Sequence, residues 1–196
     1  MLLNNYYEYR RMMFAGGGTN YTLDPYWEKY NFVNSAGNRV TGVKAEYSGK
    51  GDLGYWLNKG NCGAITTASA TDESKFGVFF GTGSTPATLA DYTLANTITS
   101  GLSITNMRNL HSHAEDGNGG IELTGSFLLQ NTTEAEMNIW EMGIVTPVGS
   151  GIASSYIQGY PVLMERTVLS EPVTIQPGGA KLVTYRVKLN LVLNVD

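Results

Sequence analysis

The sequence predicts an all-β protein, an antiparallel β-sandwich of the jelly-roll or immunoglobulin-like kind preceded by an extended or short-helical arm. Three observations point there. The chain carries 24 glycines and 12 tyrosines, with Ser, Thr and Asn filling the stretches between apolar runs, a composition suited to pleated segments joined by tight turns. Its last segment alternates strictly, with Val183, Tyr185, Val187, Leu189, Leu191 and Leu193 on one side and Thr184, Arg186, Lys188 and Asn190 on the other. That period of two belongs to a strand with one face on a core and one in water. Just before it, Gln176-Pro177-Gly178-Gly179 has the chemistry of a type II turn, Pro setting φ and Gly supplying a positive φ.

The remaining elements follow in chain order. Residues 1–26 form an arm rich in rings and thioethers, with Tyr6, Tyr7, Tyr9, Met12, Met13 and Phe14 ahead of Gly16-Gly17-Gly18. Its segment 4–14 suits two or three helical turns, too few to stand alone in water. The arm therefore needs a surface, either its own domain or a neighbouring subunit. Residues 27–196 form the sandwich domain. Within it Trp27–Val33, Arg39–Tyr47 and Tyr55–Leu57 are apolar patches, and Ser35-Ala36-Gly37-Asn38 between the first two predicts a hairpin around 32–44. Phe76–Gly81 reads as a short buried strand. Ile121–Asn131 alternates, placing Ile121, Leu123, Phe127 and Leu129 opposite Glu122, Thr124 and Ser126. Met137–Val145 puts Trp140, Met142 and Ile144 on a common face.

Charge narrows the function classes. Only 15% of residues are charged, against roughly 25% in a typical soluble domain. The net charge is −4, and apart from Arg10-Arg11 the cations are scattered. A nucleic-acid binder needs them clustered against phosphate, so no direct nucleic-acid partner is expected. Cys62 is the sole cysteine, which rules out an internal disulfide and suits assembly in a reducing cytoplasm. Met1–Tyr7 lacks the pattern of a secretory signal, and no run reaches the roughly 18 apolar residues of a membrane span. A soluble chain without membrane association is expected.

Candidate chemistry is thin. His111 and His113 would share one face of a strand, with Glu115 and Asp116 nearby, but a zinc site wants three or four ligands and the stretch 112–120 reads as a polar loop. Asp116-Gly117-Asn118-Gly119-Gly120 lacks the alternating acids and closing Glu of a calcium loop. Gly81-Thr82-Gly83-Ser84-Thr85 follows a strand as a phosphate loop would, yet no Lys closes it and Pro86 stands where a helix should begin. No nucleophile elbow surrounds a serine. Cys62 reads as a small packed residue, and Asp72, Glu73, Glu134 and Glu136 as solvated charges. No catalytic residue, cofactor or metal is assigned. Tyr55-Trp56 and the stretch Tyr156–Tyr160 would make a sugar-stacking platform if exposed.

Three blocks carry a family likeness. Gly81-Thr82-Gly83-Ser84-Thr85-Pro86, continuing to Asp91-Tyr92-Thr93-Leu94, resembles a block of tailed-phage virion proteins: a Gly-Thr-Gly strand end, a Pro and an Asp-Tyr-x-Leu step. Trp140-Glu141-Met142-Gly143-Ile144 is similar to their Glu-x-Gly-aliphatic strand. The stretch from Leu163 to Gly179 resembles their closing block, with Arg166-Thr167-Val168-Leu169, Pro172-Val173-Thr174-Ile175 and the Pro177-Gly178-Gly179 turn. The likeness covers about residues 76–190. It implies a non-enzymatic structural protein of tail, baseplate, fibre base or head surface, assembled in the host cytoplasm, with other copies of itself and other virion proteins as partners. The charge-poor, Tyr- and Met-rich composition fits protein interfaces, which are enriched in such residues and poor in Lys and Glu. Tyr6, Tyr7, Tyr9, Met12, Met13 and Phe14 are the expected contacts. The alternative expectation is a carbohydrate-binding module at a host-facing tip, with a host glycan as partner and Trp56 in the platform.

Overall fold

The computed structural model describes residues 1–15, 32–40, 53–57, 59–66, 70, 72–107, 114–115, 121–148 and 159–189. Several sequence readings lie outside them: the Gly16–Gly18 run, the far half of the 32–44 hairpin, His111 and His113, the 116–120 loop, Tyr156, and the end of the last strand.

Among the described residues two α-helices and eight strands follow one another: α1 (Asn4–Ala15), α2 (Leu53–Leu57), β1 (Gly60–Asn61), β2 (Gly77–Gly81), β3 (Leu102–Asn106), β4 (Ala114–Glu115), β5 (Ile121–Asn131), β6 (Met137–Val148), β7 (Tyr160–Ile175) and β8 (Ala180–Leu189), with a 3-10 turn over Glu73–Lys75 before β2. The strands make two sheets. One runs β1-β2-β6-β7; in the other β5 pairs with β3, β4 and β8. Every pairing is antiparallel except β1 with β2, which is parallel. The fold is all-β and sandwich-like, as the alternation and turn chemistry predict.

One apolar cluster lies between the sheets. Phe80 of the first sheet meets Phe127 of the second edge-to-face, their ring centroids 5.7 Å apart. Val78, Leu129, Ile139, Ile144 and Val183 fill in around them. Each such side chain contributes about 1.5–3 kcal/mol on burial, and the ring pair adds a directional preference.

The alternation of β8 is realised as read. Val183, Tyr185 and Val187 are buried while Leu182, Thr184, Arg186 and Lys188 are exposed. The turn before it is type II: the Gly179 N–H donates to the Gln176 carbonyl at 2.9 Å, and Gly178 at the third position has φ +68°, where a side chain would be strained. β6 departs from the reading. It is the inner strand between β2 and β7 and is covered on both faces, so Ile139, Glu141, Gly143 and Val145 are as buried as Met142 and Ile144. Trp140, read onto a common face with Met142 and Ile144, is only half-buried while they are buried. Residues 82–98 cross over this strand, and a Cβ on Gly143 would lie 2.8 Å from Leu94.

The first nine residues lie on their own domain. Leu2 bridges to Glu165, the Leu3 N–H donates to the Met164 carbonyl at 2.9 Å, and the Arg166 N–H donates to the Met1 carbonyl at 3.0 Å. Asn5 is buried and stitches two distant segments, giving Nδ2 to the carbonyls of Val33 and Leu163 and taking the Val33 N–H on Oδ1. Of the two surfaces open to the arm, these residues take the domain's own. Removing residues 1–18 would therefore also remove the core side chains Leu3 and Tyr6.

Candidate functional site

The outer face of the second sheet is built by β3, β5 and β8. Strand register sets three neighbouring rows there: Ser103–Gln130–Ala180, Thr105–Leu128–Leu182 and, beside the Met107 N–H bonded to the Ser126 carbonyl, Met107–Ser126–Thr184. None of the nine is charged. A solvated sheet face ordinarily alternates polar and charged side chains outward, and charge returns only in the next rows, Thr124–Arg186 and Glu122–Lys188. At the centre Leu182 is 63% exposed, Leu128 37% and Met107 40%. Leu128 and Leu182 are direct cross-strand partners, so they form one apolar spot rather than two scattered ones. The Ser126 and Thr184 hydroxyls lie 3.4 Å apart beside it.

The arm residues named from sequence fall in different places. Tyr6 is buried in the chain's own core, Tyr9 is partly buried against it, and Tyr7 stands 55% exposed with its ring edge-on to Tyr6. Met12, Met13 and Phe14 belong to α1, but their side chains lie outside the description. The sugar-stacking platform does not form at Trp56. That side chain has no exposed surface and is packed against Tyr55 and Phe76, at 4.8 and 5.2 Å between ring centroids. Burying a large flat ring is worth more to this fold than displaying it. Cys62, read as packed, is exposed.

Beneath the loop 82–97 lies a buried ion network that sequence reading missed. Glu141 is fully buried and Arg166 3% exposed. The Arg166 guanidinium donates from Nε to Glu141 Oε2 at 2.8 Å, from Nη1 to Asp91 Oδ2 at 2.6 Å, and from Nη2 to the Thr85 carbonyl at 3.0 Å. Glu141 also accepts the backbone N–H groups of Gly83, Ala95 and Asn96 at 3.1, 3.0 and 2.8 Å. The Gly-rich loop thus does cradle an anion, but the anion is a carboxylate of the same chain. Asp91, Glu141 and Arg166 come one from each of the three blocks that carry the family likeness. Their separations, 25 and 75 residues, left no local signal to join them.

Gly83 in that loop and Gly81 at the end of β2 have a steric reason. A Cβ on Gly83 would lie 2.5 Å from both Glu141 Oε1 and the Ala95 Cβ, and one on Gly81 would lie 2.5 Å from Glu141 Oε1 and 2.7 Å from the Asn96 carbonyl. Gly83→Ala is expected to lower stability by about 1–3 kcal/mol through overpacking, read as a shift in the urea midpoint.

Acid acts on the same network. Burial pushes the Asp91 pKa up, but the Thr88 N–H, Arg166 and the Thr88 hydroxyl outweigh it and hold the carboxyl below its ordinary value. A carboxylate depressed in the folded state lends stability above its unfolded pKa, about 3.9, and that stability is lost as pH falls through the folded value. Asp91→Asn is expected to flatten the decline of melting temperature below about pH 4.

Comparison with protein families, curated proteins and solved structures finds no match.

Proposed function

We propose that this chain is a non-enzymatic structural subunit of a phage particle, acting by packing its charge-free sheet face against other copies or other virion proteins. The observation that carries the packing role is the uncharged outer face centred on Leu128 and Leu182. Left in water, that face would keep apolar surface and unburdened hydroxyls exposed; placed against a partner, it buries them with no ion to desolvate. The low overall charge, 15% of residues, agrees. The assignment to a phage particle rests on the three sequence blocks.

Leu182→Glu tests the role. Leu182 is 63% exposed, so the fold should survive with an unchanged circular dichroism spectrum. A charge at the centre of a desolvated patch costs a complex about 2 kcal/mol or more, so association measured by light scattering or sedimentation should weaken more than tenfold. Unchanged stoichiometry in the Leu182→Glu protein would remove this face from the assembly.

A further inference from the structure

We propose that the free edge of β8 pairs antiparallel with β8 of a second copy of this chain, joining the second sheets of two molecules across a two-fold axis at Thr184. The contact is made by backbone at a strand edge, so it does not rest on the packing of the charge-free face.

The edge is open and its polar groups are aimed. β5 holds one side of β8 over ten consecutive pairs with no register shift, and among the described residues nothing pairs with the other side. The Asn131 N–H donates to the Gly179 carbonyl at 3.0 Å, so that opposed pair is hydrogen-bonded, and in an antiparallel ladder every second pair is. Lys181, Val183, Tyr185 and Val187 therefore bond to β5. The far side of β5 agrees: Ser126, opposite Thr184, gives its carbonyl to the Met107 N–H and so turns it away from β8. Ala180, Leu182, Thr184, Arg186 and Lys188 are left with N–H and C=O pointing off the sheet. Such an edge is a template for another strand, and Ala180–Leu189 holds neither a Pro nor a bulge to blunt it.

The placement of charge selects a second copy. β8 carries Lys181, Arg186 and Lys188 and no acid, a pattern that by itself would favour an acidic strand. Yet Arg186 and Lys188 already face Glu122 of their own chain, at 3.7 Å from Arg186 and directly across the ladder from Lys188. A copy turned about a two-fold at Thr184 sets Leu182 opposite Arg186 and Ala180 opposite Lys188. On the core side it sets Val183 opposite Tyr185 and Lys181 opposite Val187. No cation meets a cation, every outward residue finds a hydrogen-bonded partner, and the Arg186 stem can lie along Leu182. Moving the axis to Val183 or Tyr185 carries Lys188 or Ala180 past the end of the partner strand. Moving it to Arg186 or Val187 opposes Arg186 to itself or to Lys188, which like-charge repulsion disfavours.

The test is sedimentation of the full chain at micromolar concentration, beside variants at the axis. The unaltered chain should be a dimer or an even multiple of one. Thr184→Pro removes the N–H at the axis and sets a ring against the partner, while β5 does not use that N–H, so the edge strand should tolerate it. Its circular dichroism should be unchanged and its dissociation constant higher by about tenfold or more. In a Cys62→Ser background, which removes the chain's own thiol, Thr184→Cys should form an interchain disulfide under mild oxidation. A hydrogen-bonded pair holds its Cα atoms about 5.5 Å apart, within disulfide reach. Lys188→Cys, equally exposed, should not, because the partner's copy of that position lies at the other end of the ladder, about 27 Å away. Adding Leu182→Glu should leave the Thr184→Cys crosslink in place, since position 182 lies opposite Arg186; its loss would assign the dimer to the sheet face and overturn the edge. A monomer with no crosslink at 184 also overturns the proposal, leaving the edge to a strand of another protein. So does a crosslink at 188 in place of 184, or a folded Thr184→Pro protein that dimerises as tightly as the parent. Should Thr184→Pro fail to fold, the crosslinks alone decide.

Discussion

Arg166→Ala is expected to cost the folded protein about 3–5 kcal/mol, the penalty for leaving buried charges without their partner, or roughly 10 °C in melting temperature for a chain of this size. The loss follows from what the guanidinium holds. It is 3% exposed and joins Glu141, Asp91 and the Thr85 carbonyl. Without it Glu141 stays fully buried with only three backbone N–H groups against its charge, and loop 82–97 loses its tie at Thr85 and Asp91. Hydrogen exchange at the amides of Ala95 and Asn96 should accelerate more than exchange in β8, because those amides depend on Glu141 staying in place. Arg166→Lys should fall between, since an ammonium carries its donors on one nitrogen and cannot span acceptors that the guanidinium reaches from three. Buried ion pairs can often be exchanged for apolar residues at no loss, but here Glu141→Leu/Arg166→Met would strand the N–H groups of Gly83, Ala95 and Asn96, at about 1–3 kcal/mol for each left unpaired. A double variant as stable as the parent would show that the cradle is satisfied some other way.

How much of this was legible in the sequence depended on where the determining contacts lie. β8 was readable because it has a wet face: the exposed Thr184, Arg186 and Lys188 interrupt the buried Val183, Tyr185 and Val187, and that interruption is the signal. The type II turn at Gln176–Gly179 was readable because Pro and Gly act on their own dihedrals. β6 was readable as a strand but not by face, since a strand buried on both sides carries no alternation. β7 hides its geometry in another way. Its pairing with β6 shifts register twice, between Ile139 and Glu141 and between Ile144 and Val145, and a bulge leaves no mark in composition. The helix over residues 4–14 was expected, and the structure runs it from Asn4 to Ala15; its docking through Asn5 was not, because a buried Asn looks like any other until its partners 28 and 158 residues away are known. The ion network and the charge-free face share that character. Each is an arrangement across strands, and single-residue propensities hold no record of it.

Trp56→Ala is expected to cost about 3–5 kcal/mol, the range for emptying a buried aromatic site, although Trp56 belongs to a helix of only five residues. A helix that short has no stability of its own, so α2 must be held by what its side chains bury. It meets β2, β5 and β6, strands of both sheets, and Trp56 is the largest of its side chains with no exposed surface. Gly125 makes the seat: a Cβ there would lie 2.4 Å from the Leu57 carbonyl and 3.1 Å from the Leu57 Cγ. Gly125→Ala should therefore push α2 off β5 and lose much of what Trp56 contributes. The two substitutions act on one contact, so their combined cost, measured by urea denaturation, should be less than the sum by about 1 kcal/mol or more. A Trp displayed on the surface would behave otherwise, its removal changing stability by no more than about 0.5 kcal/mol. The same measurement thus separates a ring that joins two sheets from one held out for a ligand, and additive costs at 56 and 125 would mean that α2 is seated by something other than the glycine in β5.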